Sequence, residues 1–185
     1  MLLLDDRILA VHGAFAAADI PHAFGGALAL AYYGTPRGTQ DIDVNVFVAA
    51  NESGRVLESL AELGVATGGA RERRLIRERG QVRLRWEATP LDLFFSYDPL
   101  HASCLGRIRT VPFGGRDTLP ILSAEDLVIF KVLFDRPKDW SDVAEVLYAR
   151  GPEFDASYTL DWLRRILEAR DARLVKLETL LRSPR

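Results

Sequence analysis

Three aspartates lie in apolar segments whose alternating pattern is typical of β-strands. Asp41 and Asp43 are one residue apart at the start of "DIDVNVFV", and Asp92 lies within "PLDLFFSY". Because side chains alternate along a strand, Asp41 and Asp43 share one face, with their Cα atoms about 6–7 Å apart. Ile42 and the valines that follow it share the opposite face, which we expect to be buried in the core.

Two carboxylates this close repel each other, and a divalent cation between them is the least costly relief. Mg²⁺ takes hard oxygen ligands and keeps several waters, which leaves room for substrate phosphates. If the strand of Asp92 pairs beside the strand of Asp41 and Asp43, the three carboxylates suit a one- or two-metal site for phosphoryl transfer. An Asp-x-Asp pair is also typical of a solvated strand end or a helix-capping turn, and the spacing alone leaves both interpretations open.

A double glycine precedes these aspartates in the chain. Gly25 and Gly26 follow the short apolar segment 22–24 and begin a predicted helix. A backbone without Cβ atoms can approach a ligand closely, and a helix N-terminus offers free N–H groups to an anion. An ordinary tight turn is the alternative. The order of the glycines, a turn that contains Arg37 and Thr39, and then the paired aspartates favours a phosphate site.

Hydrophobic periodicity predicts the elements that position these residues. Helices are predicted over 5–19, 27–34 and 51–64 and in several segments from residue 123 onward; strands are predicted over 22–24, 41–48, 82–88, 91–97 and 106–113. A turn at Thr89-Pro90 would join two of the strands. The basic segment 71–80 is predicted as a solvated hairpin, because glutamates interleave its five arginines, with a groove for a polyanion as the alternative. This order indicates an α+β fold, with a first domain over 1–122 and a C-terminal helical region over 123–185.

Composition narrows the class of protein. The chain has 185 residues, 27% of them charged and 48% hydrophobic, and a formal net charge of −2. An acidic balance disfavours a domain that only binds nucleic acid. One cysteine, Cys104, cannot form an internal disulfide. The N-terminus lacks the pattern of a signal peptide and no uncharged run is long enough to span a membrane, so we expect a cytoplasmic protein without a membrane partner.

The segment "GGALALAYYGTPRGTQDIDVNV", Asp92 in "PLDLFFS" and the later "LSAEDLVIFKVLFDRPKDWSDVAEVL" together resemble the nucleotidyltransferase superfamily with a DNA polymerase β-like palm. The resemblance covers about residues 20–150 and is greatest to the minimal and abortive-infection toxin-like branch. It implies a mixed sheet flanked by helices, with a helical part after the palm. It also implies an enzyme that moves a nucleoside monophosphate from a nucleoside triphosphate (NTP) to an acceptor hydroxyl.

The resemblance implies roles for individual residues. Asp41, Asp43 and Asp92 would be the catalytic residues and the ligands of Mg²⁺ in a two-metal site. Seven residues, including two from the turn that precedes the aspartates, are candidates for binding the nucleotide: Gly25, Gly26, Arg37, Thr39, Lys131, Asp139 and Asp142. Many members of the superfamily have Gly-Ser in the first motif, whereas this chain has Gly-Gly followed by alanine, so a serine contact to phosphate is missing.

The acceptor is the least determined part of this hypothesis. The toxin-like resemblance favours tRNA or a protein hydroxyl and implies an antitoxin partner. A small-molecule acceptor such as an aminoglycoside, or a non-catalytic nucleotide-binding module, is the alternative. The three carboxylates argue against loss of activity, and the missing serine argues mildly for it. Arg83 and Arg85 share one strand face and would add positive potential if that face borders the site.

Overall fold

The computed structural model of the chain describes residues 2–115 and 117–182. These residues form an α+β fold with helices flanking a mixed sheet, as the sequence predicts. The helices are α1 (Leu4–Ala17), α2 (Gly26–Leu30), α3 (Ser53–Glu62), α4 (Ala70–Arg79), α5 (Pro99–Leu105), α6 (Ala124–Phe134), α7 (Pro137–Arg150), α8 (Ala156–Ile166) and α9 (Ala172–Arg182). The strands are β1 (His22–Phe24), β2 (Ile42–Ala49), β3 (Gln81–Trp86), β4 (Thr89–Ser96), β5 (Arg109–Phe113) and β6 (Asp117–Ile121).

The strands form one sheet in the order β3-β4-β2-β1-β6-β5. The β2–β4 and β1–β6 pairs are parallel, and the other three pairs are antiparallel. The strand β5 lies at an edge, where Pro112, which has no N–H to donate, is tolerated. The sheet therefore places β2 and β4, which carry the candidate carboxylates, next to each other.

Alternation along β2 and β4 determines which way their side chains point. Ile42, Val44 and Val46 of β2 are almost wholly buried, as are Leu91 and Leu93 of β4. The intervening residues, among them the aspartates, project from the other face. Burial of an aliphatic side chain stabilises the fold by roughly 1.5–3 kcal/mol, so a shift of either strand by one residue is strongly disfavoured.

The chain divides into two compact units. The first comprises the described residues up to Leu28 together with Gly38–Leu122; the second comprises Ala29–Arg37 and the described residues from Ser123 onward. The second unit is helical and centres on α6, which is largely buried and packs against α7, α8 and α9. The division into a palm domain over 1–122 and a helical region over 123–185 stays a prediction.

Ser123 caps the N-terminus of α6. Its hydroxyl accepts a hydrogen bond from the Asp126 backbone N–H at 3.1 Å and donates one to the Asp126 carboxylate at 2.6 Å. These bonds satisfy one of the four N–H groups that a helix leaves free at its start. The side chain of Asp126 is itself buried and also accepts from Tyr158 Oη at 2.7 Å.

Segment 71–80 is a helix, and the prediction of a solvated hairpin is wrong. The Gly69 N–H donates to the Glu72 carboxylate at 2.8 Å and closes the start of α4. Gly80 ends α4 in the left-handed conformation, with φ +64°. Arginine and glutamate favour helices, and one buried side chain, Ile76, attaches α4 to the core. The charges that suggested a hairpin are the solvent face of this helix.

Two smaller predictions also need correction. The turn between β3 and β4 lies at Glu87-Ala88, with Glu87 at φ +54°, and Thr89 and Pro90 belong to β4. The helix predicted to continue to residue 34 ends at Leu30, after which the chain forms turns. Within the described residues, no helix has both the length and the apolar character that crossing a membrane requires.

Candidate active site

The three aspartates come together in the first unit. Asp43 and Asp92 are paired Cα positions of the parallel strands β2 and β4, and Asp41 lies one residue before β2. The expected pairing of these two strands is confirmed. Parallel register places both side chains on the same face of the sheet, so three carboxylates lie within a small area.

A guanidinium group pairs with this cluster. Arg83 of β3 lies opposite Asp92 in the antiparallel β3–β4 register. Its Nε donates to Asp92 Oδ1 at 2.8 Å and its Nη2 to Asp92 Oδ2 at 2.6 Å, which is the bidentate geometry of a strong ion pair. The same Nη2 lies 3.5 Å from Asp41 Oδ2. One cation therefore contacts two of the three carboxylates.

Exposure differs across this ion pair. The Asp92 side chain is 14% exposed, whereas the side chain of Arg83 is 59% exposed. The hydrogen bond to Asp92 is the main cause of a raised pKa of Arg83, and the charges of Asp92, Asp41 and Asp43 act in the same direction. Arg83 stays charged throughout the accessible pH range and partly neutralises the acidic cluster.

The chemistry of the cluster fits a hard divalent cation, because all its donors are carboxylate oxygens and a cationic group already lies against them. Among the residues that the structure describes, however, no three His, Cys, Asp or Glu side chains are arranged to hold one metal ion. Both oxygens of Asp92 accept hydrogen bonds from Arg83. Arg83 therefore opposes the binding of an ion by Asp92, because its positive charge lies against the same two oxygens.

Gly25 and Gly26 lie directly against β2. The Gly25 N–H donates to the Asp43 carbonyl at 2.9 Å. Gly26 has φ +54°, and a Cβ atom built on it would lie 1.8 Å from Asp43 Oδ2. A Cβ atom on Gly25 would lie 3.1 Å from Nδ2 of the buried Asn45. The glycines therefore allow the backbone at the start of α2 to contact a carboxylate of the cluster, a contact that the sequence does not predict.

Thr39 fixes the entry into β2. Its hydroxyl accepts a hydrogen bond from the Asp41 N–H and lies 3.2 Å from the Asp41 carbonyl, which it can also contact as donor. The hydroxyl thus holds the backbone of Asp41, while the Asp41 side chain is 40% exposed. This is a positioning contact, and a role of Thr39 in nucleotide binding stays a prediction.

Four of the predicted nucleotide-binding residues form a separate cluster within the second unit. Lys131 of α6 is buried, and its Nζ lies 2.5 Å from Asp142 and 3.8 Å from Asp139, both on α7. Arg37 Nη2 donates to the same Asp142 oxygen at 3.1 Å. Arg136 pairs with the wholly buried Asp139 at 2.6 Å. Lys131 is thus neutralised by carboxylates of its own unit.

The charge of Asp142 is stabilised by this cluster. Burial by itself would raise its pKa, but hydrogen bonds from Lys131 and Arg37 outweigh burial, and the pKa of Asp142 is lowered. Asp135, which follows Lys131 by one helical turn, accepts a hydrogen bond from Trp140 Nε1 at 2.6 Å. Contact of Lys131, Arg37, Asp139 or Asp142 with a nucleotide stays a prediction.

A surface cavity of about 400 Å³ lies at the carboxyl ends of β2 and β4. Its lining includes Phe47, Ser96, Tyr97 and His101. By alternation, Phe47 lies on the face of β2 that carries Asp43, and Ser96 on the face of β4 that carries Asp92. Sequence analysis missed this cavity, because α5, which forms one of its walls, is not predicted from the sequence.

Solved structures resemble this chain in fold, and only distantly in sequence. The crystal structure of ANT(2")-Ia in complex with adenylyl-2"-tobramycin has a TM-score of 0.61 and 16% identity, and covers 88% of this chain and 98% of its own. The solution structure of the antibiotic-resistance factor ANT(2'')-Ia has a TM-score of 0.57 and 15% sequence identity, and the match covers 96% of this chain and 91% of that protein. The lincomycin-bound lincosamide antibiotic adenylyltransferase LnuA has a TM-score of 0.53 and 12% sequence identity, and the match covers 78% of this chain and 96% of that protein.

No protein-family profile matches the sequence. No curated protein matches it either. The similarity to these solved structures shows that the chain has the nucleotidyltransferase fold, as the resemblance of its motifs implies. At sequence identities of 12–16% the similarity concerns the fold alone.

Proposed function

We propose that this protein is a Mg²⁺-dependent nucleotidyltransferase. The observation that carries the proposal is the pairing of Asp43 with Asp92 in two parallel strands, with Asp41 directly before the first of them. Three carboxylates this close to one another repel, and a bound cation relieves that repulsion. The nucleotidyltransferase fold of the solved structures that it resembles supports the same reaction.

In the proposed reaction an acceptor hydroxyl oxygen attacks the α-phosphorus of an NTP. The bond from the α-phosphorus to the bridging oxygen breaks, pyrophosphate leaves, and the hydroxyl proton passes to a carboxylate, for which Asp92 is the candidate. Asp41, Asp43 and Asp92 would hold Mg²⁺, which supplies positive charge for the phosphates when bound. The backbone at Gly25 and Gly26 would contact the triphosphate, and the side chains of this chain would contribute positioning and electrostatic stabilisation.

Label transfer tests the reaction. The purified protein is incubated with each of the four α-³²P NTPs, Mg²⁺ and total tRNA, beside the Asp41→Asn/Asp43→Asn variant. Label on RNA or on protein that the variant fails to produce supports the reaction and identifies the acceptor class. No label with intact NTP binding by calorimetry indicates a small-molecule acceptor or a non-catalytic binding module. Neither label nor binding overturns the proposal.

For the acceptor we favour RNA, and α4 supports this choice. The helix carries five arginines and two glutamates in a chain whose net charge is −2. Its five arginines are all exposed: Arg71, Arg73, Arg74, Arg77 and Arg79. Their one ion pair within the described residues joins Arg74 to Glu78 at 3.9 Å, and Glu72 is engaged at the start of the helix. Side chains three and four apart on a helix are about 5–6 Å from each other, a spacing that suits consecutive phosphates.

Binding to fluorescent tRNA tests this surface. Replacement of Arg73 and Arg77 by glutamine is expected to weaken binding about tenfold at physiological salt and to reduce the salt dependence, because two phosphate contacts are lost. The same replacement at Arg170 and Arg182, which are exposed on the second unit, has an equal effect on net charge and serves as the control. Equal affinities of both variants would show that α4 is not the RNA surface.

A small-molecule acceptor is the second candidate, and the cavity at Tyr97 and His101 favours it. Its volume of about 400 Å³ falls within the range of small-molecule sites. One structure that resembles this chain is named a lincosamide antibiotic adenylyltransferase, and another is a complex with adenylyl-2"-tobramycin. Label that appears on an aminoglycoside or a lincosamide, and not on RNA, would establish this alternative. A toxin-like role with an antitoxin partner would instead require that expression of the active protein, and not of Asp41→Asn/Asp43→Asn, arrests growth.

A further inference from the structure

Arg83 lies against both carboxylate oxygens of Asp92. Its Nε and Nη2 each contact a different oxygen of Asp92, at 2.8 and 2.6 Å, so each oxygen already accepts one charged hydrogen bond. The contact at 3.5 Å to Asp41 extends the same guanidinium over a second carboxylate. A metal ion and this guanidinium compete for Asp92, because both are cations and repel each other when they lie against the same two oxygens.

The two partners differ in how readily they separate. Asp92 is mostly buried and needs a positive partner, because an unpaired carboxylate out of water is costly. Arg83 has more than half of its side chain in solvent, so its guanidinium can leave Asp92 and be hydrated without loss of core packing. The pair is therefore stable only as long as no stronger cation reaches Asp92.

We propose that Arg83 is a built-in counterion of the carboxylate cluster, which occupies Asp92 and Asp41 in the metal-free protein and is displaced when a divalent ion binds. The inference rests on the proposed function, since that function provides the metal. It assigns to Arg83 a positioning role. Arg83 holds Asp92 and Asp41 before the ion arrives, and it lowers the affinity for the ion by competing with it.

Arg85 provides a matched control. It is the next exposed arginine on the same face of β3, two residues from Arg83. Its side chain makes no ion pair with any carboxylate of the described residues. Replacement of either arginine by methionine removes one positive charge from the same strand face, but only replacement of Arg83 removes the competitor.

A titration with Mn²⁺ in the absence of nucleotide tests the proposal. Binding is measured as the loss of the electron paramagnetic resonance signal of the free ion. We expect Arg83→Met to lower the Kd for Mn²⁺ about tenfold, as for a charged hydrogen-bonded pair of intermediate exposure, and Arg85→Met to change it less than about twofold. Arg83→Lys keeps the charge without the bidentate geometry and should fall between the wild type and Arg83→Met. Equal Kd values for Arg83→Met and the wild type, or for Arg83→Met and Arg85→Met, would overturn the proposal.

Thermal unfolding gives a second measurement that does not depend on turnover. In EDTA, Arg83→Met should unfold at a lower temperature than Arg85→Met, because Asp92 loses its partner. Added Mn²⁺ should raise the Tm of Arg83→Met more than that of the wild type. If the wild type and both methionine variants bind no Mn²⁺ at all, the metal centre of the proposed function fails. If all bind equally, only the role of Arg83 fails.

Discussion

Gly26, at the start of α2, contacts Asp43 of the strand β2. Only glycine, which has no Cβ atom, leaves room for the Asp43 carboxylate at this position. Gly26 has φ +54°, and an added Cβ atom would lie 1.8 Å from the Asp43 carboxylate. Both the backbone conformation and the contact therefore require glycine. This relationship links the first motif of the chain to a candidate metal ligand, and it explains a second glycine where many nucleotidyltransferases have serine.

Replacement of Gly26 by alanine should therefore impair the site more than the fold. The new methyl group pushes the Asp43 carboxylate out of the cluster, and the left-handed backbone adds strain of about 1 kcal/mol. We expect label transfer to fall at least about 100-fold, the loss typical of a displaced catalytic group. Gly38→Ala is the control, because Gly38 has open space around its Cα. Label transfer retained by Gly26→Ala would contradict the contact.

Substitution of the three carboxylates distinguishes catalytic from structural roles. Asp41→Asn, Asp43→Asn and Asp92→Asn keep side-chain shape and remove charge, so each should abolish label transfer while the protein remains folded. Asp92→Asn should also lower the Tm in EDTA, because Arg83 loses its bidentate partner. Asp5→Asn, at an exposed position of α1, is the control for a charge change. Full activity of Asp43→Asn would argue against the proposed metal centre.

The strands that carry the site are predictable from the sequence because two signals coincide there. Alternation in β2 and β4 assigns a buried face, and carboxylates within such segments demand a chemical reason. The order of the strands in the sheet is a different matter. No local pattern states that β4 lies parallel to β2, and the inference that Asp92 joins Asp43 came from chemistry. The structure confirms that placement through the β2–β4 register.

The pairing of Arg83 with Asp92 shows why the rest was harder to predict. Counting outward from a two-residue loop at Glu87-Ala88 pairs Arg83 with Asp92, but the sequence suggested a turn at Thr89-Pro90. Proline in a turn is a common signal, whereas Glu87 adopts φ +54° under the constraint of the hairpin. The short helix α5 escaped prediction because seven residues carry too little periodicity. In each case tertiary contacts, rather than the local sequence pattern, determine the backbone conformation.

Lys131 offers a test of whether the second unit's charged cluster is structural. Lys131→Met leaves Asp142 with Arg37 and the buried Asp139 with Arg136, each without its buried cation. Removal of one partner of a buried pair costs about 3–5 kcal/mol, so we expect a large decrease in Tm. Lys138→Met, at an exposed position of α7, should leave the Tm unchanged. A stable Lys131→Met variant that has lost NTP binding would favour the predicted phosphate contact.

His22 is expected to make stability depend on pH. Its ring is buried, with Nδ1 at 2.8 Å from the Ile20 carbonyl and Nε2 at 2.9 Å from His12 Nδ1. Burial is the main cause that lowers the pKa of His22 to about 4, from an ordinary value of 6.5. Between those two values the unfolded chain binds a proton that the folded protein does not. The free energy of unfolding should therefore decrease as pH falls from 6.5 towards 4, by at most about 3 kcal/mol from this group.

The measurement that isolates this effect is urea unfolding of the wild type and His22→Gln at pH 7.5, 6.0 and 5.0. Other groups titrate in both proteins, so the quantity of interest is the difference between their free energies of unfolding at each pH. The wild type should lose more stability than His22→Gln on acidification, because glutamine cannot be protonated. The pKa of His12 is also lowered, mainly by burial, and the charge of Asp117 opposes this shift. Because His12 is less buried than His22, the loss of stability in His12→Gln should lie between those of the wild type and His22→Gln. A difference that stays constant from pH 7.5 to 5.0 would show that His22 has an ordinary pKa in the folded protein.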